Sequence, residues 1–373
     1  MKDSSDRIAI YLPSLRGGGA ERAMVVLANG FVGRGYVVDL VLVRKVGPYI
    51  PEVSCEVRIV DLGAGRVALS LPSLVDYLRK VRPFVMLSVL NHANVIAVVA
   101  KALARVPTRL VVSERNQVSL TLSQARSLRQ KFVLLLMRWA YQKADGIVAV
   151  SGGVADDLAA KVRLSRNRIS VIYNPVVTPA LKAMASAQIN HPWGGRDQSP
   201  LILAAGRLTA QKDYPTLLRA FAKVRANREC RLIILGEGER RESLEALTAQ
   251  LDISGSVLLP GFADNPFAWM SRASLFVLSS AWEGLPNVLI QAMACGTPVV
   301  STDCPSGPME ILENGRWGRL VPVGDEGALA EAMLASLDET EHPVVEERAA
   351  EFSVERAVDG YLEVMLSEKC VSK

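Results

Sequence analysis

Short apolar runs of strand length alternate with helix-length segments along nearly the whole chain. Continuous apolar runs are typical of strands buried on both faces, and helix-length connections allow neighbouring strands to run parallel. The pattern therefore predicts α/β structure built from βαβ units. The predicted strands are Ile8–Leu12, Val37–Val43, Val85–Leu90, Leu110–Ser113, Gly146–Val150, Ile169–Ile172, Leu201–Ala205, Arg231–Leu235, Ser256–Leu259, Ser274–Leu278 and Thr297–Ser301. The predicted helices include Ala20–Arg34, Ser127–Lys143, Pro215–Ala226, Arg241–Leu251, Asn287–Cys295 and Glu326–Leu337.

A stretch rich in Pro, Ala and polar residues, from Pro175 to Pro192, interrupts this alternation. The chain has 373 residues, which is more than one hydrophobic core usually organises. We therefore expect two parallel-sheet α/β domains in tandem, joined near residues 175–195. Because ligands of such sheets bind at the carboxyl ends of the strands, a cleft between the two domains is the expected place for a site.

Composition narrows the class of protein. Half of the residues are apolar and 22% are charged, which predicts a folded chain. The five cysteines form no CxxC pair, so neither a disulfide framework nor a structural zinc site is expected. The first six residues are polar, so we expect no signal peptide. Residues 83–100 carry no charge but have three polar residues near their middle, which favours a buried strand and helix over a membrane span.

Charge is distributed unevenly along the chain. Residues 1–178 carry 25 Lys and Arg against 12 Asp and Glu, whereas residues 179–373 carry 18 against 26. Residues 126–143 combine basic and apolar side chains, as helices at membrane interfaces do, although the apolar stripe is equally suited to packing on the first sheet. We expect a cytoplasmic protein whose basic N-terminal domain contacts the inner face of the cytoplasmic membrane. The basic residues are dispersed, which argues against a nucleic-acid partner.

A glycine-rich turn, Arg16 to Arg22, follows the first predicted strand and opens the first predicted helix. Glycines let backbone N–H groups approach a phosphate, and the helix N-terminus adds partial positive charge. A tight connection that requires positive φ explains the same residues, and the turn alone leaves both interpretations open.

Two cations, Arg207 and Lys212, lie in the loop GRLTAQKDY that follows the first strand of the second half. Two cations at the mouth of a sheet can neutralise a diphosphate that leaves as an anion. Salt bridges within a solvated loop are the alternative.

A third motif, Ala281 to Val300, joins a strand to a helix and then to the next strand. Pro286 suits the first helical turn and Gly296 ends the helix. The helix N-terminus can hold a phosphate while Glu283 accepts hydrogen bonds from sugar hydroxyls. In the alternative interpretation, Glu283 is a helix N-cap beside ordinary core packing.

The chain resembles retaining glycosyltransferases of family 4 in four stretches: GGGAER, GRLTAQKDYPTLLRAF, LGEGERRESLE and LPGFADNPFAWMSRASLFVLSSAWEGLPNVLIQAMACGTPVVSTDCPSGPMEIL. The resemblance covers nearly the whole chain and is strongest over residues 201–325. It implies the GT-B fold, in which two Rossmann-like parallel-sheet domains face each other across a cleft. It further implies an acceptor domain of residues 1–178, completed by a C-terminal helix within residues 354–373, and a nucleotide-sugar donor domain of residues 179–353.

The resemblance also implies roles for individual residues. Gly18 and Gly19 match backbone contacts to the donor diphosphate or the reacting sugar. Arg207 and Lys212 match the pair that binds the diphosphate and stabilises the leaving group, while Glu283 matches the first acid of a paired-glutamate motif that binds the donor sugar. The residues matched to the surroundings of sugar and phosphate are Gly284, Leu285, Pro286, Asn287 and Val288, and those beside the nucleobase are Gly261, Phe262 and Ala263.

Two positions depart from the family pattern. Gln291 stands where the second glutamate is expected; an amide can still bind ribose hydroxyls, so we expect altered nucleotide affinity. After the fourth strand, many members place a histidine near the donor sugar, whereas this chain reads Val112-Ser113-Glu114-Arg115-Asn116. A subset of the members that act on lipid-linked oligosaccharides shows a similar Ser-Glu-Arg-Asn, so Glu114 and Arg115 are candidates for contact with donor or acceptor. His92, at another strand end, is a second candidate, or else a buried structural side chain.

The expected reaction transfers a hexose or N-acetylhexosamine, with retention, from a nucleoside diphosphate sugar to a saccharide hydroxyl. Frequency in the family favours UDP. The basic and apolar segment 126–143, together with the surplus of cations in residues 1–178, favours a polyprenyl-diphosphate-linked saccharide as the acceptor, in bacterial surface-glycan synthesis. The expected catalytic residues are Arg207, Lys212, Glu283 and Glu114. No metal or other cofactor is expected, since no DxD-like motif occupies a donor-binding position. The alternatives are a sugar-nucleotide epimerase of the same fold and a catalytically silent nucleotide-sugar-binding protein, which the glutamine at 291 makes conceivable.

Overall fold

The computed structural model describes residues 7–16, 18–119, 128–191, 193 and 199–367, without the side chains of residues 128–133. The chain divides into two units. Unit 1 runs to Pro175 and resumes at Val354, and unit 2 spans Val176–Ser353. Outside the described residues lie Gly17 of the glycine-rich turn, residues 126–127 of the basic segment and residues 368–373 of the C-terminal segment.

The sheet of unit 1 is entirely parallel. Its strands are β1 (Arg7–Leu12), β2 (Val37–Leu42), β3 (Arg58–Asp61), β4 (Val85–Val89), β5 (Arg109–Glu114), β6 (Gly146–Ala149) and β7 (Ile169–Val171). Its spatial order is β3-β2-β1-β4-β5-β6-β7. The described helices between these strands are α1 (Gly19–Gly33), α2 (Leu71–Val81), α3 (Asn91–Ala104), α4 (Leu128–Lys143) and α5 (Gly152–Val162). Every residue of β4 is buried, as expected at the middle of a parallel sheet.

The sheet of unit 2 is also parallel. Its strands are β8 (Leu201–Ala205), β9 (Arg231–Leu235), β10 (Val257–Gly261), β11 (Leu275–Leu278), β12 (Val299–Thr302) and β13 (Arg319–Val321), in the spatial order β10-β9-β8-β11-β12-β13. Its described helices are α6 (Pro179–Ala185), α7 (Tyr214–Asn227), α8 (Arg241–Gln250), α9 (Pro266–Met270), α10 (Asn287–Ala294), α11 (Pro308–Ile311), α12 (Glu326–Asp338) and α13 (Val345–Ala349).

The last described helix, α14 (Val354–Leu366), belongs to unit 1. It packs on α1 at Gly30, where an added Cβ would lie 2.5 Å from Val358 Cγ2. Tyr361 on the same helix is completely buried. Arg109 of β5 donates a hydrogen bond from Nη2 to the carbonyl of Val364 at 3.3 Å. Unit 1 is therefore assembled from both ends of the chain.

The prediction of two Rossmann-like parallel-sheet domains, the GT-B fold, is confirmed. The apolar pattern missed β3 and β13, the strands at one edge of each sheet. Both ends of β3 are exposed, and Val321 is the single buried residue of β13. None of the helices in the described part of the chain is long and apolar enough to span a lipid bilayer.

Candidate active site

The chemistry-bearing loops of unit 2 meet where the order of its strands reverses. β8 pairs with β9 on one side and with β11 on the other. Lys212 ends a 3₁₀ turn, Ala210–Lys212, between β8 and α7, and Glu283 lies between β11 and α10. Both loops leave the carboxyl ends of adjacent parallel strands. This switch point is where open α/β sheets bind their ligands.

Lys212 and Glu283 form an ion pair at this switch point. The distance from Lys212 Nζ to Glu283 Oε1 is 2.6 Å, and their side chains are 14% and 8% exposed. Ser280 Oγ donates to the same carboxylate oxygen at 2.7 Å, and Gln211 Nε2 donates to the other at 3.3 Å. The acid predicted for sugar binding is therefore held by three donors from two loops.

Further hydrogen bonds fix the two loops against each other. Ser279 Oγ donates to the carbonyl of Lys212 at 2.7 Å, and the backbone N–H of Ala281 donates to the carbonyl of Gln211 at 2.8 Å. Thr302 on β12 donates to the carbonyl of Ser280 at 2.6 Å. These hydrogen bonds therefore hold the loop of Lys212 and the loop of Glu283 in a fixed position relative to each other.

Gly206 leaves space for the Lys212 side chain. Its φ is +155°, and an added Cβ would lie 2.8 Å from Lys212 Cε and 3.0 Å from the Tyr214 hydroxyl. Tyr214 is buried, and burial, reinforced by the negative charge of Glu283, raises the pKa of its hydroxyl above the ordinary value. A side chain at position 206 would therefore displace the groups that set the ion pair.

Arg207 differs from Lys212 in its surroundings. Its side chain is exposed, and the described part of the chain offers its guanidinium no ion-pair partner. An exposed cation one residue after the switch-point glycine is available to an incoming anion.

The first turn of α10 follows Glu283. Gly284, Leu285 and Pro286 are buried, whereas Asn287, Val288 and Gln291 are half-buried. Gly284 offers its carbonyl to Ser306 Oγ at 2.9 Å. The start of α10 is therefore braced by the neighbouring loop, and its half-buried residues are the ones that reach the surface.

The predicted nucleobase loop lies at the end of β10. Phe262 is 78% exposed, so the face of its ring is accessible to a planar ligand. Gly261 has φ +92°, and its carbonyl accepts a hydrogen bond from Gly236 N–H at 2.8 Å. This ties the loop to the neighbouring strand end.

Sequence reasoning did not assign roles to Gly236 and Gly238, or to Ser280 and Gln211. Gly236 has φ +138°, and an added Cβ would lie 2.0 Å from the carbonyl oxygen of Gly206. At Gly238 an added Cβ would lie 2.4 Å from the Leu208 oxygen. The two loops approach each other closely at these glycines. The sequence signal for this is the pair of glycines in LGEGERR, directly after a strand.

In unit 1, the glycine-rich turn forms the start of α1. Gly18 is the N-cap residue, with extended backbone, and α1 begins at Gly19. An added Cβ at Gly18 would lie 2.2 Å from a carboxylate oxygen of Glu21, which is in the first helical turn. The positive N-terminus of α1 therefore lies beside the carboxylate of Glu21, a residue of the same helix.

Glu114 is buried at the end of β5, with an exposure of 2%. Its oxygens accept hydrogen bonds from the Tyr141 hydroxyl at 2.6 Å and from the backbone N–H of Arg115 at 3.2 Å. Burial raises the pKa of the Glu114 carboxyl to about 7, and those hydrogen bonds oppose the increase. This environment favours a positioning role for Glu114 over direct contact with substrate. His92, the second candidate, is exposed in the first turn of α3 beside Asn91.

Comparison with known proteins places these features in a family. The model described as "Glycosyltransferase Family 4" matches residues 17–178, and "Glycosyl transferases group 1" matches residues 199–339. The 4-alpha-N-acetylgalactosaminyltransferase of Campylobacter jejuni that acts on N-acetylgalactosamine-N,N'-diacetylbacillosaminyl-diphospho-undecaprenol is 30% identical over 348 residues, covering 89% of this chain and 90% of the relative.

Two solved structures share the fold. The lipopolysaccharide outer core galactosyltransferase WaaB, in its apo form, has a TM-score of 0.73 at 19% identity, covering 97% of this chain and 100% of that one. Anabaena HepE in complex with UDP has a TM-score of 0.76 at 19% identity, covering 96% and 98%. The 348-residue match to the Campylobacter relative and the two family models together show that the chain belongs to the group 1, family 4 glycosyltransferases.

Proposed function

We propose that this glycosyltransferase moves a hexose or N-acetylhexosamine, with retention, from a nucleoside diphosphate sugar, most simply a UDP-sugar, to a saccharide hydroxyl. The acceptor is carried on polyprenyl diphosphate and serves surface-glycan synthesis. The observation that carries the proposal is the Lys212–Glu283 pair at the switch point of unit 2. The name of the Campylobacter relative specifies a diphospho-undecaprenol acceptor and supports the lipid-linked class.

Charge development at the leaving group determines the roles in unit 2. As the bond from the anomeric carbon to the phosphate oxygen breaks, the diphosphate gains negative charge. Lys212 and the exposed Arg207 supply positive charge there, and the N-terminus of α10 adds a partial charge. When the diphosphate draws the ammonium of Lys212 toward itself, Glu283 becomes available to accept hydrogen bonds from the sugar hydroxyls.

Retention requires the acceptor hydroxyl to approach the face from which the diphosphate departs. The departing phosphate oxygen then takes the proton of the attacking hydroxyl, so no protein base is needed. Nuclear magnetic resonance of the product anomeric centre tests this stereochemistry, and an inverted product would refute it. Full turnover in the presence of a chelator is the expected result for a reaction without a metal.

A donor panel tests the overall function. Purified protein is incubated with UDP-, GDP- and ADP-sugars, with and without a bacterial polyprenyl-lipid extract, and released nucleoside diphosphate is measured. Release from one donor that rises with the lipid is expected. Saturable nucleotide binding with no release under any condition would favour a silent binding protein, and a free epimerised nucleotide sugar would identify an epimerase.

Membrane contact through unit 1 is part of the proposal. On α4, Met137 and Ala140 are buried, whereas Leu135 and Trp139, four residues apart, are 60% and 44% exposed. One face of the helix therefore packs in the unit while another presents apolar side chains. We expect the protein to co-sediment with anionic liposomes and Leu135→Ala/Trp139→Ala to weaken this. Leu103→Ala, at a comparably exposed position on α3, is the control.

A further inference from the structure

A buried guanidinium at the end of β5 in unit 1 is incompletely satisfied. Arg115 is 5% exposed, and its Nη1 donates to the Tyr361 hydroxyl at 3.2 Å. Its Nε and Nη2 have no hydrogen-bond partner among the described residues, and no carboxylate there lies within ion-pair distance of the side chain. Glu114 receives the backbone N–H of Arg115 rather than its guanidinium.

Such a cation is costly to the folded protein. A charged group removed from water is strongly destabilising unless an opposite charge and hydrogen bonds replace its solvation. The neighbouring hydroxyl of Tyr361 supplies one acceptor and no charge, and the Glu114 carboxyl interacts electrostatically with Arg115 without accepting a hydrogen bond from its guanidinium. A group that satisfies Nε and Nη2 of Arg115 is therefore an anion with oxygen acceptors.

Two more unsatisfied polar atoms lie at the same edge of the sheet. Ser88 Oγ on β4 and Asn94 Oδ1 on α3 are buried and lack partners in the described part of the chain. Asn94 donates through Nδ2 to the carbonyl of Ser113 at 3.0 Å, and Ser113 Oγ lies 3.1 Å from the same Tyr361 hydroxyl that Arg115 contacts. Asn94 and Arg115 thus belong to one polar cluster with Ser113 and Tyr361, and Ser88 lies on the adjacent strand.

The location of this cluster agrees with a ligand site. Ser113 and Arg115 lie at the carboxyl end of β5, and Ser88 is near the carboxyl end of the adjacent β4. Parallel α/β sheets bind ligands at this edge. The same unit carries the surplus of basic residues, which draws anionic ligands towards it.

We propose that Arg115 is a phosphate-binding residue of unit 1, and that its guanidinium binds a diphosphate oxygen of a substrate. The inference rests on the proposed glycosyltransferase reaction, in which both substrates carry a diphosphate: the nucleotide sugar and the lipid-linked acceptor. The shared chemistry is the diphosphate group, and kinetic constants for each substrate distinguish the two sources.

The first experiment isolates this site from the cations of unit 2. Binding of inorganic pyrophosphate is measured by calorimetry on the Arg207→Ala/Lys212→Ala variant, where the unit 2 phosphate site is disabled. Adding Arg115→Met, which keeps the length of the side chain without its charge, is expected to weaken binding about 10- to 100-fold. Adding Arg109→Met is the matched control, since Arg109 lies at the other end of β5 and also donates to α14.

The second experiment uses the otherwise unaltered enzyme. Arg115→Met is expected to raise the KM for one diphosphate substrate about 10- to 100-fold, identifying the source, and Arg115→Lys is expected to restore part of the affinity. Because Arg115→Met also removes an unpaired buried charge, the ligand-free variant is expected to melt at or above the temperature of the unaltered protein. A merely structural arginine would give the opposite shift.

Three results would overturn the inference: no measurable pyrophosphate binding on the Arg207→Ala/Lys212→Ala background, pyrophosphate affinity within about twofold after Arg115→Met, or both KM values unchanged in the single variant. Failure of the proposed reaction is distinguishable, because it appears as no turnover by the unaltered enzyme with any donor. Loss of pyrophosphate binding on Arg115→Met would still establish the anion site in that case.

Discussion

The Lys212–Glu283 pair makes a double-mutant cycle informative. Lys212→Met removes the ammonium and keeps the stem, Glu283→Gln removes the carboxylate charge and keeps the shape, and the double variant removes both charges. At the 2.6 Å separation and an effective dielectric constant of about 20, the attraction is about 6 kcal/mol before desolvation. Both side chains are largely buried, so removing one partner leaves an uncompensated charge and is expected to cost about 3–5 kcal/mol.

The double variant should be more stable than either single variant. Neither charge is then left unpaired, and the amide oxygen at 283 can accept from Gln211 Nε2 while the Ser280 hydroxyl accepts from the amide nitrogen. We expect a coupling free energy of at least about 3 kcal/mol. Turnover should remain about 10²–10³ lower in the double variant, because the charge that stabilises the diphosphate is still absent.

Urea unfolding followed by tryptophan fluorescence measures this coupling. Four of the five tryptophans lie in unit 2, so the signal reports mainly on the unit that contains the pair; they are Trp193, Trp269, Trp282 and Trp317. A coupling below about 1 kcal/mol would refute the argument, since that is the size of an exposed pair. Recovery of turnover in the double variant would show that Lys212 serves only to neutralise Glu283.

Three further outcomes are expected. Arg207→Ala should lower turnover about 10²–10³ and leave the melting temperature unchanged, because the side chain is exposed and unpaired in the described part of the chain; near-normal rates would remove its assigned role. Burial raises the pKa of Glu114 from 4.5 to about 7, so the folded state binds the proton more tightly than the unfolded state. The free energy of unfolding is therefore expected to fall as the pH rises from 4.5 to about 7. Glu114→Gln should abolish that fall, gaining up to about 3 kcal/mol relative to the unaltered protein between about pH 5 and pH 8 in urea unfolding, and parallel pH profiles would contradict the burial argument. Gly236→Ala should destabilise unit 2 by more than about 1 kcal/mol in the same assay, since its Cβ would meet the backbone of Gly206 at positive φ, and an unchanged stability would mean that the two loops can separate freely.

The hydrophobic pattern predicted the interior of each sheet because interior strands are buried on both faces. β8 is apolar throughout, β4 is apolar except at Ser88, and both are buried throughout, so their runs are unambiguous. β3 begins and ends in exposed charged residues, and β13 has three residues, so neither produces a continuous run. Edge strands pair on one side only, and their sequences are correspondingly less constrained.

The sequence motifs indicate which residues belong to the candidate site, but they do not indicate which residues each of them contacts. Lys212 and Glu283 were marked by their motifs, but their pairing depends on two loops brought together by the fold across 71 residues of sequence. Ser280 and Gln211 contact Glu283 through the same geometry, and nothing in their local sequence distinguishes them from ordinary loop residues. Glu114 is predicted to contact substrate, and its hydrogen bond from Tyr141 on α4, 27 residues along the chain, could not be foreseen from the residues around it.

The position of α14 has a consequence for how the molecule forms during synthesis. Unit 2 is complete once Ser353 has emerged from the ribosome, whereas the core of unit 1 still lacks Val358, Tyr361 and Met365. Domains fold as units during translation, usually in N- to C-terminal order. Here the unit whose synthesis begins first must wait for α14, so a nascent chain exposes the α1 face that α14 covers until α14 has been synthesised. A truncation that removes α14, from Val354 onwards, would therefore damage unit 1 and leave the residues of unit 2 intact.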